Sequence, residues 1–398
     1  MAPTTRPGVY RREPMPNPPA LVVGGQLNGL GVCRSLAQAG IETYVLYTRW
    51  YDPASWSRFA TPIRVSSLWG RELVTALRTI DLPEGTVLII TDEMAVYTIS
   101  EYREELIAKF RVRLPSHEMV LIQSDKALFH NFATASGLPV PNSVIIGADA
   151  GVFSIRDLRF PVVIKPAAKR DFHLKGVARL VIAGDQRQAE IACRNLLSKT
   201  PELIVQECIE GPDDAIYFCL FYRKDNIVKD MFIGRKLASI PRGIGSTGLC
   251  VRVEANDLRE KLAHLTETFL AVSNYEGIGG IEYKWDARSK RFLIIEPTVG
   301  RTDWQEEISA LSGINIPALA YFEECNLPVT SSRRIPNVVW QQSYIDRIRS
   351  GFGIVPPNST VLDGYWRRDD PLPALLYYPF AFMMLTRGLM YRIARRPR

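Results

Sequence analysis

A short apolar strand, a glycine-rich turn, an amphipathic helix and a second apolar strand follow one another near the start of the chain. They occupy the stretch ALVVGGQLNGLGVCRSLAQAGIETYVLY, residues 20–47. Gly40 ends the helical pattern, as glycine commonly does just after the last turn of a helix. This order is typical of the opening βαβ unit of a doubly wound α/β domain.

The alternation of helices and strands continues to about residue 118. The pattern predicts a helix over 70–80, a strand over 86–92 and a helix over 93–109. We therefore expect a small doubly wound domain over residues 18–118. The polar, proline-rich residues 1–17 precede it, and their composition predicts a disordered tail.

The glycines of the first turn do not form a clean G-x-G-x-x-G motif, and the second strand ends in YVLYTRW. That ending has no acidic residue to hold a ribose, so a nicotinamide oxidoreductase is the weaker interpretation. The favoured interpretation is that the glycines allow a tight turn from strand to helix. The turn and the helix N-terminus could still hold an anionic group of a substrate.

The basic excess of the chain belongs entirely to its C-terminal segment. The 398 residues have a net charge of +7, and residues 331–398 contain 11 arginines and four aspartates but no lysine or glutamate. Residues 1–330 are therefore neutral overall. This distribution argues against a nucleic-acid-binding body and indicates a basic tail facing an acidic partner, or else a solvated surface.

Cysteine and histidine usage excludes some classes of protein. None of the six cysteines forms a C-x-x-C pair, and there are four histidines. A zinc site and a disulfide framework are therefore not expected. The N-terminus has no apolar signal core, which predicts a cytoplasmic protein.

Three lysines lie at positions suited to phosphate groups. Lys126 follows Ser124, the predicted N-cap of a helix that Gly137 ends, so it lies in a first turn where the helix dipole disfavours a cation. Lys165 ends the strand FPVVIK, and Lys175 precedes the next strand. Lysines on both sides of a loop of small and basic residues predict a cover for phosphates.

Two glutamates are expected to face each other across a hairpin. Glu282 and Glu296 lie on strands joined by the turn DARSK, and a turn centred near Ser289 places them directly opposite each other on one face. Facing carboxylates repel unless a cation lies between them, and their oxygens suit Mg²⁺, which also binds substrate phosphates. The alternative is two exposed acids, one of them paired with Arg301.

Taken in order, the motifs SDK, FPVVIKP, QECIEG, GGIEYK and LIIEPTVGR resemble the ATP-grasp superfamily, specifically its carboxylate–amine ligase branch with the relatives of D-aspartate ligase. Each motif is loose, but their shared order is specific, and the resemblance covers about residues 18–330. It implies that the α/β first domain is followed by an α+β ATP-grasp domain of two subdomains at 119–328. Residues 329–398 would form a basic C-terminal extension.

The resemblance implies that ATP lies between two sheets, with Mg²⁺ as its metal. Lys126 and Lys165 would hold the α- and β-phosphates. Residues 206–209 would form the adenine hinge, with Glu207 and backbone groups up to Ile209 at the adenine edge, and Asp214 would hold the ribose hydroxyls. The complete set of implied nucleotide-binding residues is Lys126, Lys165, Lys175, Gln206, Glu207, Ile209, Asp214 and Lys236.

The resemblance also implies catalytic residues and metal ligands. Arg235 would lie near the γ-phosphate, and Arg301 would steady an acyl phosphate. The Mg²⁺ ligands would be Glu282, Glu296 and Thr298. The family has asparagine two residues after the second glutamate, in E-x-N-x-R, whereas this chain has threonine in EPTVGR. A hydroxyl is a weaker ligand than an amide carbonyl, so the number of bound metal ions, one or two, stays open.

The implied activity is an ATP- and Mg²⁺-dependent ligase that joins a carboxylate to an amine through an acyl phosphate. The alternative is a nucleotide-binding protein with weak or no catalysis. Small carboxylates and amines, including amino acids, are the expected partners, and a homo-oligomer is compatible with the sequence. Specificity is expected from residues 26–29, the loop TRWYDP and the strand end at 91–93. There Asp92 and Glu93 could hold an amino group, although a helix N-cap and a first-turn acid are favoured.

The last segment combines an apolar run with a cluster of arginines. The run over 372–385 is too short to span a membrane, which needs roughly 20 residues. Arginines and aromatic residues in 372–398 fit a helix on an anionic membrane surface, peripheral to the inner side of the membrane. The alternative, a helix docked on the protein's own body, is favoured for 372–385.

Overall fold

The computed structural model describes residues 17–147, 152–167, 180–243, 245–330, 334–349, 354–379 and 381–383. The predicted tail lies outside these residues except for Asn17. Lys175 and the arginine-rich residues after 383 also lie outside them.

The first part of the chain forms a five-stranded parallel sheet with helices. The strands are β1 Ala20–Val23, β2 Thr43–Tyr47, β3 Thr61–Arg64, β4 Thr86–Ile90 and β5 Phe110–Arg111, and the helices are α1 Leu27–Gln38, α2 Gly70–Thr79, α3 Glu93–Glu101 and α4 Arg103–Leu106. The sheet order is β3-β2-β1-β4-β5. The predicted doubly wound unit is confirmed, but α3 and α4 replace the single helix expected over 93–109.

Both faces of this sheet are buried, which explains the continuous apolar run of β1. Leu21 and Val23 pack into one hydrophobic core, and Ala20 and Val22 pack into another on the opposite face. Each of these cores also contains residues of the large sheet described below. The first domain and the large sheet therefore share their hydrophobic cores.

The turn after β1 needs glycine for steric reasons. A Cβ atom on Gly29 would lie 2.0 Å from the carbonyl oxygen of Gly24. Such a contact is impossible without moving the backbone, so α1 can approach β1 this closely only with glycine at this position. The interpretation of these glycines as residues of a tight turn agrees with this geometry.

Two helices lead into a small antiparallel sheet. The elements are α5 His117–Ser124, α6 Lys126–Ala135, β6 Ser143–Gly147, β7 Val162–Pro166, β8 Val181–Ala183, α7 Gln186–Leu197 and β9 Glu202–Glu207, with sheet order β6-β9-β7-β8. The prediction of Ser124 as the N-cap of α6 is wrong. Ser124 ends α5, and the carboxylate of Asp125 accepts hydrogen bonds from the backbone N–H groups of Ala127 and Leu128.

A large sheet completes the fold. Its strands are β10 Ile216–Lys224, β11 Ile227–Ile240, β12 Ser246–Arg252, β13 Gly277–Asp286, β14 Arg291–Val299, β15 Val338–Gln341 and β16 Thr360–Asp363, and the helices are α8 Asn256–Val272, α9 Glu307–Leu311, α10 Ile316–Cys325 and α11 Tyr344–Arg349. The sheet order is β14-β13-β10-β11-β12-β15-β16.

The C-terminal segment is built into the body of the protein. β15 pairs with β12, and β16 pairs with β15, so two strands from the expected extension belong to the large sheet. Residues 372–379 and 381–383 are helical, and we label residues 372–379 α12. Among the described residues, no helix combines the length and hydropathy needed to cross a membrane.

A buried ion pair attaches the C-terminal segment to the first helix. Arg34 and Asp370 are almost fully buried, and the guanidinium donates to the carboxylate over 2.9 Å. Arg34 also donates to the carbonyl oxygens of Gly364 and Tyr365, and Asp370 accepts from the Ser57 hydroxyl. The charges are therefore paired and hydrogen-bonded, as buried charges must be.

Asp370→Ala should lower the free energy of unfolding by about 3–5 kcal/mol, because it leaves a buried guanidinium without its counter-ion. The neighbouring Asp369 is exposed, so Asp369→Ala serves as the matched control and should change stability by no more than about 0.5 kcal/mol. Urea denaturation of the two variants measures both values. Equal stabilities would show that the pair does not hold the segment in place.

Candidate active site

The first cavity lies between the small sheet and the large sheet. It is bounded by α5 and α6, by β7 and β9 of the small sheet, and by β14 of the large sheet. Its polar lining residues are Gln123, Ser124, Lys126, His130, Lys165, Gln206 and Glu296. The structure therefore brings together four residues that were predicted from distant parts of the sequence: Lys126, Lys165, Gln206 and Glu296.

Glu282 and Glu296 face each other across the β13–β14 ladder, as predicted. The pairing depends on a β-bulge. Near the turn Asp286 pairs with Arg291, and this register would place Glu282 opposite Ile295. The register shifts by one residue between Glu282 and Tyr283, which brings the two glutamates opposite each other. Bulges often redirect side chains next to active sites, and this one places both carboxylates on one face.

A buried lysine offsets the repulsion between these carboxylates. Lys236 of β11 forms an ion pair with Glu282, and only 4% of its surface is exposed. Burial opposes the charged form, but the negative charges of Glu282, Asp303 and Asp213 outweigh it, so the pKa of Lys236 is raised. The lysine therefore remains positively charged beneath the glutamates.

Lys165 on β7 lines the first cavity from the small sheet, whereas Glu296 lines it from the large sheet. Burial lowers its pKa, and the nearby charges of Glu296 and Glu282 oppose that effect. An anionic ligand near Lys165 would favour its charged form. A desolvated lysine facing two carboxylates is suited to hold a phosphate that also binds a metal ion.

Thr298 lies on the same side of β14 as Glu296, because alternate residues of a strand share a face. It is half-buried and pairs with Gly280 of β13. The described residues contain no cluster of three or more histidine, cysteine, aspartate or glutamate side chains that could hold a metal. Two carboxylates and one hydroxyl nevertheless fit Mg²⁺, since this ion usually takes one or two carboxylates and completes its shell with water and phosphate oxygens.

Some predicted site residues lie elsewhere. Arg235 belongs to the other face of the large sheet: it pairs with Tyr217, which pairs with Tyr283, the neighbour of Glu282. Arg235 lines a separate cavity of about 410 Å³ with Arg252 and Val253. Arg235 was predicted near the γ-phosphate, but it lies on the sheet face opposite the two glutamates, because alternation along β11 gives their face to Lys236.

Of the predicted adenine-binding residues at the end of β9 and just after it, only Gln206 lines the first cavity. Gln206 lines the cavity, but the Glu207 carboxylate accepts hydrogen bonds from Arg159 and Asn142. Burial tends to raise the pKa of Glu207, but these bonds outweigh it and hold the pKa below its usual value. Ile209 is buried and lines the same small pocket as Glu207.

Asp214 does not point into an organised site. It is exposed in the short turn Asp213–Ala215. Its neighbour Asp213 is the ordered acid, because its carboxylate accepts hydrogen bonds from the backbone N–H groups of Ser239 and Gly243. Sequence reasoning missed this role, and the adjacent acids in GPDDA gave no signal to choose between them.

The second cavity, of about 450 Å³, lies at the carboxyl ends of β1, β2 and β4. This is where open α/β sheets bind ligands. It brings together the predicted turn at 26–29, the loop TRWYDP and the strand end at 91–93 with Arg301. Its lining includes Gln26, Asn28, Arg49, Tyr51, Asp52, Thr91, Asp92, Glu93, Arg301, Asp303, Trp304, Tyr365, Leu376 and Tyr377. Sequence reasoning missed the aromatic residues from the C-terminal segment.

Arg301 is the central cation of the second cavity. Its guanidinium lies 3.8 Å from the carboxylates of both Glu93 and Asp303. Asp92 caps α3 by accepting from the N–H groups of Met94 and Ala95, so its favoured role as an N-cap is confirmed. Burial raises the pKa of Asp92, although these N–H groups and the Arg301 charge partly oppose the rise.

Solved structures share this architecture, although no protein-family model matches the sequence. The ADP complex of an N5-carboxyaminoimidazole ribonucleotide synthetase is 13% identical, with a TM-score of 0.63 over 82% of this chain and 81% of that chain. A biotin carboxylase–β,γ-ATP complex from Campylobacter jejuni is 16% identical, with a TM-score of 0.61 over 78% and 72%.

The biotin carboxylase domain of the Hydrogenobacter thermophilus 2-oxoglutarate carboxylase, in complex with MgADP, ADP and bicarbonate, is also similar. It is 15% identical, with a TM-score of 0.59 over 80% of this chain and 71% of that chain. These similarities show that the chain has the ATP-grasp fold, as the sequence motifs predicted. At such low identity they show the fold alone.

The loop after Arg301 is anchored by a buried acid whose titration can be measured. Glu306 accepts hydrogen bonds from the Ser35 hydroxyl, and burial, followed by the charge of Glu307, raises its pKa from 4.5 to about 8. The folded protein therefore binds a proton between about pH 5 and 8 that the unfolded chain does not bind. Its stability should fall as pH rises through this range, by up to about 1.4 kcal/mol per pH unit.

Glu306→Gln keeps the shape of the neutral acid and should flatten this pH dependence. Glu101→Gln, at an exposed position, is the control and should leave the slope unchanged. Urea denaturation at pH 5, 6.5 and 8 gives the slope for each protein. A wild-type protein that becomes more stable from pH 5 to 8, with Glu306→Gln following the same curve, would contradict a protonated Glu306.

Proposed function

We propose that the protein is an ATP- and Mg²⁺-dependent ligase that joins a carboxylate to an amine. The observation that best supports this proposal is the alignment of Glu282 and Glu296 by the β13–β14 bulge, opposite Lys165 across the first cavity. Facing carboxylates destabilise a ladder unless a cation lies near them. Lys236 supplies one charge from beneath, and a divalent ion on the open side would use the oxygens that remain.

The polar side chains that line the first cavity are of the types that bind a nucleoside triphosphate. Lys126 and Lys165 are placed to neutralise phosphates. The backbone from Gln206 to Ile209, at the end of β9 and just after it, is the stretch that would meet adenine. Glu282, Glu296 and Thr298 would hold Mg²⁺, which supplies neutralisation of the phosphate oxygens when bound. The phosphate-cover role of Lys175 and the ribose role of Asp214 stay predictions.

The chemistry requires positioning and charge neutralisation rather than a side-chain nucleophile. A substrate carboxylate oxygen would attack the terminal phosphorus of ATP, giving an acyl phosphate and ADP. An amine would then attack the acyl carbon, lose a proton and displace inorganic phosphate. Arg301 follows Glu296 by five residues and lines the second cavity, so we propose that it binds the negative charge of the acyl phosphate.

The second cavity is the proposed site for the carboxylate and the amine. Arg301 and Arg49 can bind a carboxylate, while Glu93 and Asp303 can bind an ammonium group. Solved proteins of this fold include one bound to bicarbonate, so the acyl donor can be as small as that ion. The narrower resemblance to D-aspartate ligases remains part of the proposal, and amino acids are the substrates it implies.

A nucleotide-binding protein without turnover is the second candidate. Thr298 favours it, because this residue stands where the family has asparagine and offers a weaker ligand. Binding of ATP with no product in the presence of any carboxylate and amine would support this candidate over the ligase.

Glu296→Gln should reduce ADP release from ATP and Mg²⁺ by at least about 100-fold. Loss of even a hydrogen-bond partner of a metal ligand lowers metal affinity or activity by roughly 10–100-fold. Glu296 is proposed as a direct ligand. The assay contains bicarbonate or pooled carboxylates together with pooled amino acids. Glu260→Gln, an exposed acid on α8, is the control and should keep full activity. Equal activity in the two variants would exclude Glu296 from the metal site.

A further inference from the structure

The C-terminal helix presents an apolar face to solvent. Ala374 and Ala381 are buried against the body, whereas Leu372, Leu375 and Phe382 are 49%, 58% and 63% exposed. Residues 371–386 contain no charged side chain. A surface helix normally buries its apolar face and exposes its polar one, and this helix has apolar side chains on the exposed face as well.

The same helix forms one edge of the second cavity. Leu376 and Tyr377 of α12 line the cavity, next to the exposed Leu375. Tyr51 lines it from the loop after β2, and Tyr51 and its neighbour Trp50 are 51% and 65% exposed. Exposed leucine and aromatic side chains therefore belong to the two segments, the loop after β2 and the C-terminal helix, that contribute lining residues to the cavity. We call Trp50, Tyr51, Leu372, Leu375 and Phe382 the apolar rim.

The sequence beyond this helix is strongly basic. Residues 371–398 contain five arginines, all after residue 386, and no acidic residue. Apolar and aromatic side chains next to an arginine-rich segment match the composition of protein segments that lie on anionic lipid surfaces. Tryptophan and tyrosine are the residues enriched at the level of the lipid headgroups.

We propose that the apolar rim, together with the arginines after residue 386, docks the protein on an anionic lipid bilayer. The opening of the second cavity then faces the headgroup layer, so the cavity receives a carboxylate or an amine carried by the membrane. The docking proposal is supported by the exposed side chains of the apolar rim and by the positive charge of the residues after 386. The membrane-borne substrate rests in addition on the proposed ligase function.

Docking on an anionic bilayer accounts for two features of the protein that the proposed ligase function leaves unexplained. Leu372, Leu375 and Phe382 lie close together on one helix, and burial of such a cluster of exposed apolar side chains in lipid is favourable. The basic excess of the chain is confined to residues 331–398, and five of the 11 arginines follow the helix. An anionic bilayer would accommodate both the apolar rim and this basic charge.

The test is flotation of the full-length protein with vesicles, without nucleotide. We expect binding to phosphatidylcholine vesicles containing 30% phosphatidylglycerol, with much weaker binding to pure phosphatidylcholine and weakening in high salt. Leu372→Ser/Leu375→Ser should weaken binding by about tenfold or more. Arg387→Gln/Arg392→Gln/Arg395→Gln should weaken it by about 100-fold.

The matched control is Ile182→Ser/Ile191→Ser. These isoleucines are 50% and 53% exposed, but they belong to the small sheet and its helix rather than to the apolar rim. This variant should bind vesicles as the wild-type protein does. Because the substituted residues in both pairs are exposed, neither variant should lose its fold, which thermal denaturation checks.

Quenching of tryptophan fluorescence by brominated lipid locates the contact. Trp50→Phe should remove much of the quenching. Trp285→Phe should not, because Trp285 lies near the turn of the β13–β14 hairpin, at the other end of these strands from Arg301. Quenching that persists in Trp50→Phe would show that another surface faces the lipid and would overturn the placement of the cavity opening.

Three other results would overturn the docking itself. They are absence of vesicle binding, equal binding to neutral and anionic vesicles, and binding unaffected by the two leucine substitutions. A dimer that forms without lipid and is abolished by the same substitutions would assign the apolar rim to a second copy of the chain. Glu296→Gln should bind vesicles normally, so failure of the ligase proposal and failure of docking are distinguishable.

Discussion

The candidate active site depends on one irregularity in the large sheet, the β-bulge that aligns Glu282 with Glu296. Without that shift of one residue, one of the two carboxylates would point to the opposite face, into the hydrophobic core. With it, two like charges face each other, which is unfavourable for the ladder by itself. Lys236 lies buried beside Glu282, and Lys165 faces the pair from the small sheet. The fold therefore holds a concentrated set of charges that a metal–phosphate group would complement.

β14 and the loop after it connect the two cavities along the chain. Glu296 lines the first cavity, and Arg301 lines the second. The loop that follows is fixed by the buried Glu306, and the C-terminal segment is fixed by Arg34 and Asp370. These buried polar contacts join the parallel sheet, the large sheet and α12 around the second cavity. The C-terminal segment is thus part of the site, supplying Tyr365, Leu376 and Tyr377, rather than a separate tail.

Much of this architecture could be predicted from periodicity, because strands alternate with a period of two and helices end at glycine. The βαβ unit and the acidic hairpin followed from those rules, whereas the order of the motifs was interpreted through the resemblance to a known superfamily. The failures have physical causes. Alternation on β11 alone does not say which of Arg235 and Lys236 faces the glutamates, since that depends on the neighbouring strand. The predicted turn centre gave the glutamate pairing, but the true register near the turn differs, and the bulge restores the pairing. Contacts of α12 with the second cavity join residues more than 300 positions apart, which no local pattern reveals.

The most direct test of the account is a crystal structure with a non-hydrolysable ATP analogue and Mn²⁺ in place of Mg²⁺, with anomalous diffraction to locate the metal. The account predicts an anomalous peak within about 2.0–2.3 Å of carboxylate oxygens of both Glu282 and Glu296, a range based on the roughly 2.0–2.1 Å of Mg²⁺ sites. The phosphates should contact Lys126 and Lys165. A nucleotide bound in the second cavity, or a metal bound away from these two glutamates, would contradict it.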